Sequence, residues 1–166
     1  MNAGDIISIL GLRPLAGEGG FFCETYRSDE TWSALPARYR GESRALATTI
    51  YYLLSRDTFS AMHRLATDEV YHFYLGDPVE MLQLFDDGSG SVTRIGTNLR
   101  AGARPQVVVP KGAWQGSSLA PGGEFALLGT SMAPGFEFAD FELGRRDELR
   151  GRYPQYQRLV DRLTRD

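Results

Sequence analysis

The feature that most constrains this chain is a series of short apolar runs, each ended by a residue that breaks strands. After the stretch "GEGG" at 17–20 come Phe21–Arg27, Ala45–Leu54, Ser60–Leu65, Val70–Leu75, Val79–Phe85, Ser91–Ile95, Pro105–Val109, Ala113–Leu119, Phe125–Thr130 and Phe136–Leu143. Each is rich in aromatic or β-branched residues and bounded by Gly, Pro, Asp or Ser, the pattern of half-buried antiparallel strands. In "FDDGSGSV" the Asp-Gly pair supplies the positive φ of a tight hairpin. The ends differ. Asp5 to Leu10 is amphipathic and stops at Gly11, which can close a helix in the left-handed conformation. In "PQYQRLVDRLTRD" the residues Tyr156, Leu159, Val160 and Leu163 recur at helical spacing, with Pro154 placed to open the helix. The expectation is an all-β sandwich or barrel with short N-terminal and C-terminal helices.

A chain of 166 residues suits one domain spanning 1–166, large enough to bury a core or enclose a cavity. The formal charge of −3 is mild and the arginines are scattered, so no nucleic-acid partner is expected. The lone Cys23 can make no internal disulfide and reads as a small buried apolar group. "MNAGDIISILGLRP" has neither a basic n-region nor an apolar run long enough for a signal peptide or membrane span. The expectation is a soluble cytoplasmic protein without a membrane partner. Nucleotide fingerprints, P-loops and nucleophile elbows are absent from the sequence.

The chemistry concentrates in "MHRLATDEVYHFYLG", Met62 to Gly76, which holds both histidines, His63 and His72, beside Asp68 and Glu69. A strand carrying His63, a tight "ATD" connection and a strand opening at Glu69 would place the two residues on neighbouring strands. Imidazole offers a neutral metal ligand or a proton shuttle near neutral pH, and a carboxylate offers a hard ligand or a general base. Alternation puts Glu69, Tyr71 and Phe73 on one face and Val70, His72 and Tyr74 on the other. His72 is therefore read as a packing or dimer-interface residue, and only a bulge would turn it towards Glu69.

These residues resemble the first cupin motif, in which a His-x-His pair is followed by Glu and then Gly. His63, Glu69 and Gly76 match, while Leu65 stands at the second histidine. "PKGAWQ" echoes the second motif, with Pro110 and Gly112 matching and Gln115 in the histidine's place. The blocks "GGFFCETYRS", "TIYYLLS", "HRLATDEVYHFYLGDP", "PQVVVPKGAWQGS" and "MAPGFEFADFEL" resemble, in order, the cupin-5-like branch. That resemblance implies a cupin jelly-roll β-barrel, an RmlC-like fold paired as a homodimer, with a ligand-sized cavity. It does not select a reaction, because one fold hosts many chemistries.

A catalytic metal normally takes about three protein ligands plus an open position. His63 and Glu69 supply two, Gln115 is a weak neutral donor and Leu65 donates nothing. A tightly held cofactor is therefore not expected; if a divalent metal binds, its ligands would be His63, Glu69 and Gln115. In the leading reading the chain binds a small polar ligand, sugar-like or carboxylate, and isomerises or epimerises it by acid/base chemistry. His63 shuttles the proton, Glu69 orients it or acts as base, and Gln115 fixes the substrate. Tyr52, Phe73, Trp114 and Arg27 are the further pocket contacts. Arg27 either pairs with Glu24 or clamps an anionic group bidentately, although alternation sets them on opposite faces. Glu137, Asp140 or Glu142 could cap a pocket mouth, but their alternation with apolar residues reads as the solvated face of a half-buried strand. The alternatives are a dioxygenase-like metal enzyme and a non-catalytic metabolite-binding or sensing module.

Overall fold

Alternating apolar and polar residues bury one face of each strand, and two such sheets stacked face to face bury both. A computed structural model describes residues 1–39 and 43–165. In chain order its elements are α1 (Ala3–Leu10), β1 (Arg13–Pro14), β2 (Phe21–Arg27), β3 (Thr31–Trp32), β4 (Arg44–Ala45), β5 (Thr48–Ser55) and β6 (Phe59–Arg64). There follow β7 (Glu69–Gly76), β8 (Val79–Leu84), β9 (Gly90–Ile95), β10 (Gln106–Val109), β11 (Trp114–Leu119), β12 (Phe125–Met132), β13 (Glu142–Leu143), α2 (Arg146–Arg152) and α3 (Gln157–Leu163). A six-stranded sheet runs β1-β2-β5-β12-β7-β10 and a five-stranded sheet β13-β6-β11-β8-β9, with β3 and β4 forming a small ribbon. The strand pattern anticipates the antiparallel sheets, and the family resemblance implies the jelly roll they form.

The space between the sheets is graded from apolar to polar. At one end Leu54, Val79, Met81, Ile95, Ala126 and Leu128 form a closed core with Tyr52 and Tyr71. Full burial of such side chains contributes about 1.5–3 kcal/mol each. Further along the same strands the inward positions become polar, and there a cavity opens between the sheets.

The outer faces are covered by the terminal helices. α1 starts at an Asn2–Asp5 capping box, ends at Gly11 in the left-handed conformation, and packs Ile6 against Leu53 and Leu127. Leu149, Tyr153, Val160 and Leu163 lie over Met62, Leu82 and Trp114 on the five-stranded sheet. Pro154 opens a single 3-10 turn that leads into α3, whereas the helix at Arg146–Arg152 has no counterpart in the periodicity.

One expected strand is not a strand. Phe136–Leu143 instead forms a 3-10 turn over Phe138–Asp140 followed by the two-residue β13. Its acidic residues are tied down one by one, which bends the chain across the cavity mouth. Glu137 pairs with Arg27, Asp140 with the buried Arg44, and Glu142 with Arg64. The Phe136 N–H donates to Thr48 Oγ1 as well. The alternation that suggested a solvated strand is in fact a set of arginine anchors with aromatics between them.

Candidate functional site

Residues on both sheets and on the loop before β2 line a cavity of about 280 Å3. His63 and Leu65 face into it from the end of β6, and Glu69 faces them from the start of β7. β6 and β7 are not neighbouring strands: they lie in opposite sheets, and the short connection carries the chain from one sheet to the other. His63 and Glu69 therefore meet across the cavity, a stronger placement for acid/base work than adjacency in one sheet.

His63 is fully buried, and its ring stacks on Phe141 with centroids 5.2 Å apart. Its Nδ1 lies 2.8 Å from the Ala61 carbonyl. A carbonyl only accepts, so Nδ1 carries the proton, and in the neutral tautomer Nε2 presents a lone pair. That Nε2 has no hydrogen-bond partner among the described residues; the nearest carboxylate oxygen is Glu18 Oε2, 3.9 Å away.

Gln115 sits directly beside His63 in the cross-strand register of β11 and β6. It reaches across the sandwich to donate from Nε2 to Glu69 Oε2 at 2.7 Å. Its Oε1 is buried without a partner among the described residues, as is Ser117 Oγ. Gln115 thus bonds to Glu69 and does not line the cavity itself. Burial is the main influence on Glu69 and pushes its carboxyl above the usual carboxylate range. His63 opposes that shift, Glu18 adds to it, and hydrogen bonds from Gln115 and Thr130 oppose it.

Glu18 was not anticipated. It comes from "GEGG", where Gly17, Gly19 and Gly20 all have positive φ. A Cβ at Gly19 would stand 2.3 Å from the Phe59 carbonyl oxygen, so only glycine lets this loop lie against β6. The Glu18 carbonyl accepts from the Ala61 N–H at 2.8 Å, and Ser60 Oγ donates to Glu18 Oε1 at 2.8 Å. The signal was present in the glycine bracket, which marks close backbone approach, but nothing in it identified the residue between.

The other expected contacts separate. Arg27 does line the mouth, and so does Glu24, because a bulge between Glu24 and Tyr26 turns both inward where plain alternation had opposed them. Arg27 donates to both Glu24 carboxylate oxygens and to Glu137 Oε1, so it is an internal ion-pair hub and not an open clamp. Tyr52 is buried behind the cavity, donating to the Gly19 carbonyl at 2.9 Å. Burial holds the Tyr52 and Tyr71 hydroxyls well above the ordinary phenol range, so both are neutral donors. Phe73 packs on the closed apolar core. Trp114 lies on the opposite face of the five-stranded sheet, beneath the helices, with Arg64 stacked on its ring. Strand period explains that last case: β11 turns Gln115 inward, and its neighbour must face out. His72 stays off the cavity and contacts Gln106 at 3.3 Å.

The donor set does not match a tightly bound transition metal. Among the described residues no three His, Cys, Asp or Glu side chains converge as such an ion requires. Leu65 occupies the second imidazole position, and Gln115 directs an N–H donor, not a lone pair, at Glu69.

Two facing antiparallel sheets with a polar cavity at one end define a cupin-type jelly roll. The chain belongs to the family Cupin_5, described as Cupin superfamily (DUF985), which matches residues 4–144. A solved structure of protein SO0799 from Shewanella oneidensis is 37% identical with a TM-score of 0.88, covering 99% of this chain and 98% of that one. A hypothetical protein from Leishmania major is 28% identical with a TM-score of 0.89 over the full length of both. The uncharacterized protein YML079W of Saccharomyces cerevisiae is 30% identical over 114 residues, 65% of this chain and 57% of that relative's length. Oxalate decarboxylase of Bacillus subtilis is similar in fold alone, at 11% identity and a TM-score of 0.54. Among the described residues no helix is long and apolar enough to cross a membrane.

Proposed function

We propose that the chain binds a small polar organic molecule between its sheets and moves a proton on it, as an isomerase or epimerase does. The observation that carries this is His63 Nε2, without a hydrogen-bond partner among the described residues and facing a cavity across from Glu69. A carboxyl raised above its usual range is suited to exchanging protons nearer neutral pH. His63 and Glu69 stand on opposite walls, so one removes a proton from a bound carbon acid and the other returns it to the opposite face. Gln115 acts through Glu69, orienting the carboxylate and favouring its charged form. Of the two expected substrate classes, a neutral sugar-like molecule suits the acceptor-rich wall better than a carboxylate does.

The test has two stages. Thermal-shift screening across sugars, nucleotide-sugars, carboxylic acids and amines should give saturable stabilisation by at least one class. Incubating that ligand with the protein in deuterium oxide should then place deuterium on carbon, and His63→Ala should abolish it. Saturable binding with no exchange in the wild type would leave a binding or sensing module. No saturable binding in any class would refute the proposal.

A further inference from the structure

The cavity wall has a charge imbalance that the acid/base pair does not use. Four carboxylates line it, those of Glu18, Glu24, Glu69 and Glu137, against the guanidiniums of Arg13 and Arg27. Arg27 is spent on Glu24 and Glu137 at the mouth. Arg13 is exposed and lies over the Phe22 ring, so water screens its charge. At the inner end Glu18 Oε2 and His63 Nε2 stand 3.9 Å apart with no donor assigned between them. Both are acceptors when the ring is neutral. Around them the wall is apolar, made of Leu15, Phe22, Ile50, Leu65, Met132 and Phe136.

Resting on the ligand-binding reading above, the geometry points to a ligand that carries an ammonium group on a compact apolar body. The ammonium donates to Glu18 Oε2, the body fills the aromatic and aliphatic neck, and His63 Nε2 stays available for proton transfer. An ammonium has three donors and no acceptor, the complement of a carboxylate such as Glu18 at the inner end of the cavity. Its bond to a carboxylate is charge-assisted and roughly twice as strong as a neutral one. A carboxylate in the same place would face Glu18, a costly like-charge arrangement. Glu18 itself is held by the Ser60 hydroxyl and by the glycine-bracketed backbone, so the site is organised without a ligand.

Calorimetric titration with benzylamine, benzyl alcohol and benzoate, which share one ring and differ in head group, tests this. The wild type should bind the amine about tenfold or more tightly than either other probe. Glu18→Gln, which keeps the Ser60 partner, should lose about tenfold for the amine and change the alcohol little. Equal or tighter binding of the alcohol or benzoate would overturn the ammonium assignment while leaving the ligand-binding reading standing. Failure of all probes would also overturn it, and the screen across sugars then decides that reading separately. Amine binding that is lost in chelator and restored by zinc or manganese would assign the acidic wall to a metal and overturn it as well.

Discussion

Replacing Gln115 by Met separates the charge on Glu69 from its packing. The two side chains are close in volume, so the substitution opens no large cavity in a site where Gln115 is 1% exposed. What it removes is the 2.7 Å bond to Glu69 Oε2, and with it the unpartnered Gln115 Oε1. When Glu69 is protonated the lost bond is neutral and worth about 0.5–1.5 kcal/mol; when it is ionised the bond is charge-assisted and worth about 1.5–3 kcal/mol. Loss of the orphaned Oε1 offsets part of the cost equally at every pH, so it cancels from the pH dependence. Gln115 favours the charged form, so its removal raises the Glu69 pKa further. A carboxyl whose folded pKa is raised stabilises the fold less as pH climbs through that pKa. The variant's stability deficit should therefore grow by about 1 kcal/mol between acidic and mildly alkaline buffer, or about 2–4 °C in Tm for a chain of this length. Thermal melts of both proteins from about pH 4 to about pH 8.5 give the difference directly. A deficit constant with pH, or one that shrinks as pH rises, would refute the placement of an ionisable Glu69 under Gln115.

Other consequences follow from the same geometry. Gly19→Ala, with φ near +106° and a Cβ 2.3 Å from the Phe59 oxygen, should cost about 1–3 kcal/mol by calorimetry and weaken any ligand that needs Glu18. Trp114→Phe should lower Tm yet leave ligand affinity within about twofold, because Trp114 packs beneath the helices; a larger loss of affinity would place it at the cavity after all. Protein purified without chelator should hold less than about a tenth of an equivalent of iron, manganese, nickel or zinc, and near-stoichiometric metal would overturn the donor-set argument. From the family resemblance, and not from this geometry, we expect a homodimer, and a light-scattering mass of one chain would refute it.

Much of the fold could be read from strand-length apolar runs and their breakers, because burying one face per strand imposes a period that sequence carries openly. Phe136–Leu143 misleads because its alternation records three arginine anchors, on Arg27, Arg44 and Arg64, that no local pattern reveals. His63 and Glu69 were legible from motif spacing, and Leu65 as a lost ligand with them. Glu18 was not, since its role depends on a loop folding back on β6 from more than forty residues away. Arg27 and Glu24 share the mouth only because of a bulge, and a single inserted residue inverts every prediction made from alternation. Aromatic identity alone could not tell Trp114, on the outside of the sheet, from the phenylalanines at the cavity.

We propose that the cavity between His63, Glu69 and Glu18 is a ligand site that works without a resident metal. A crystal structure of the protein soaked with benzylamine tests that most directly. The expected result is the amine nitrogen within hydrogen-bonding distance of Glu18 Oε2, with the ring between Phe22 and Phe136. A metal ion bound by His63 and Glu69 in the unsoaked crystal, or a cavity that stays empty at saturating amine, would contradict it.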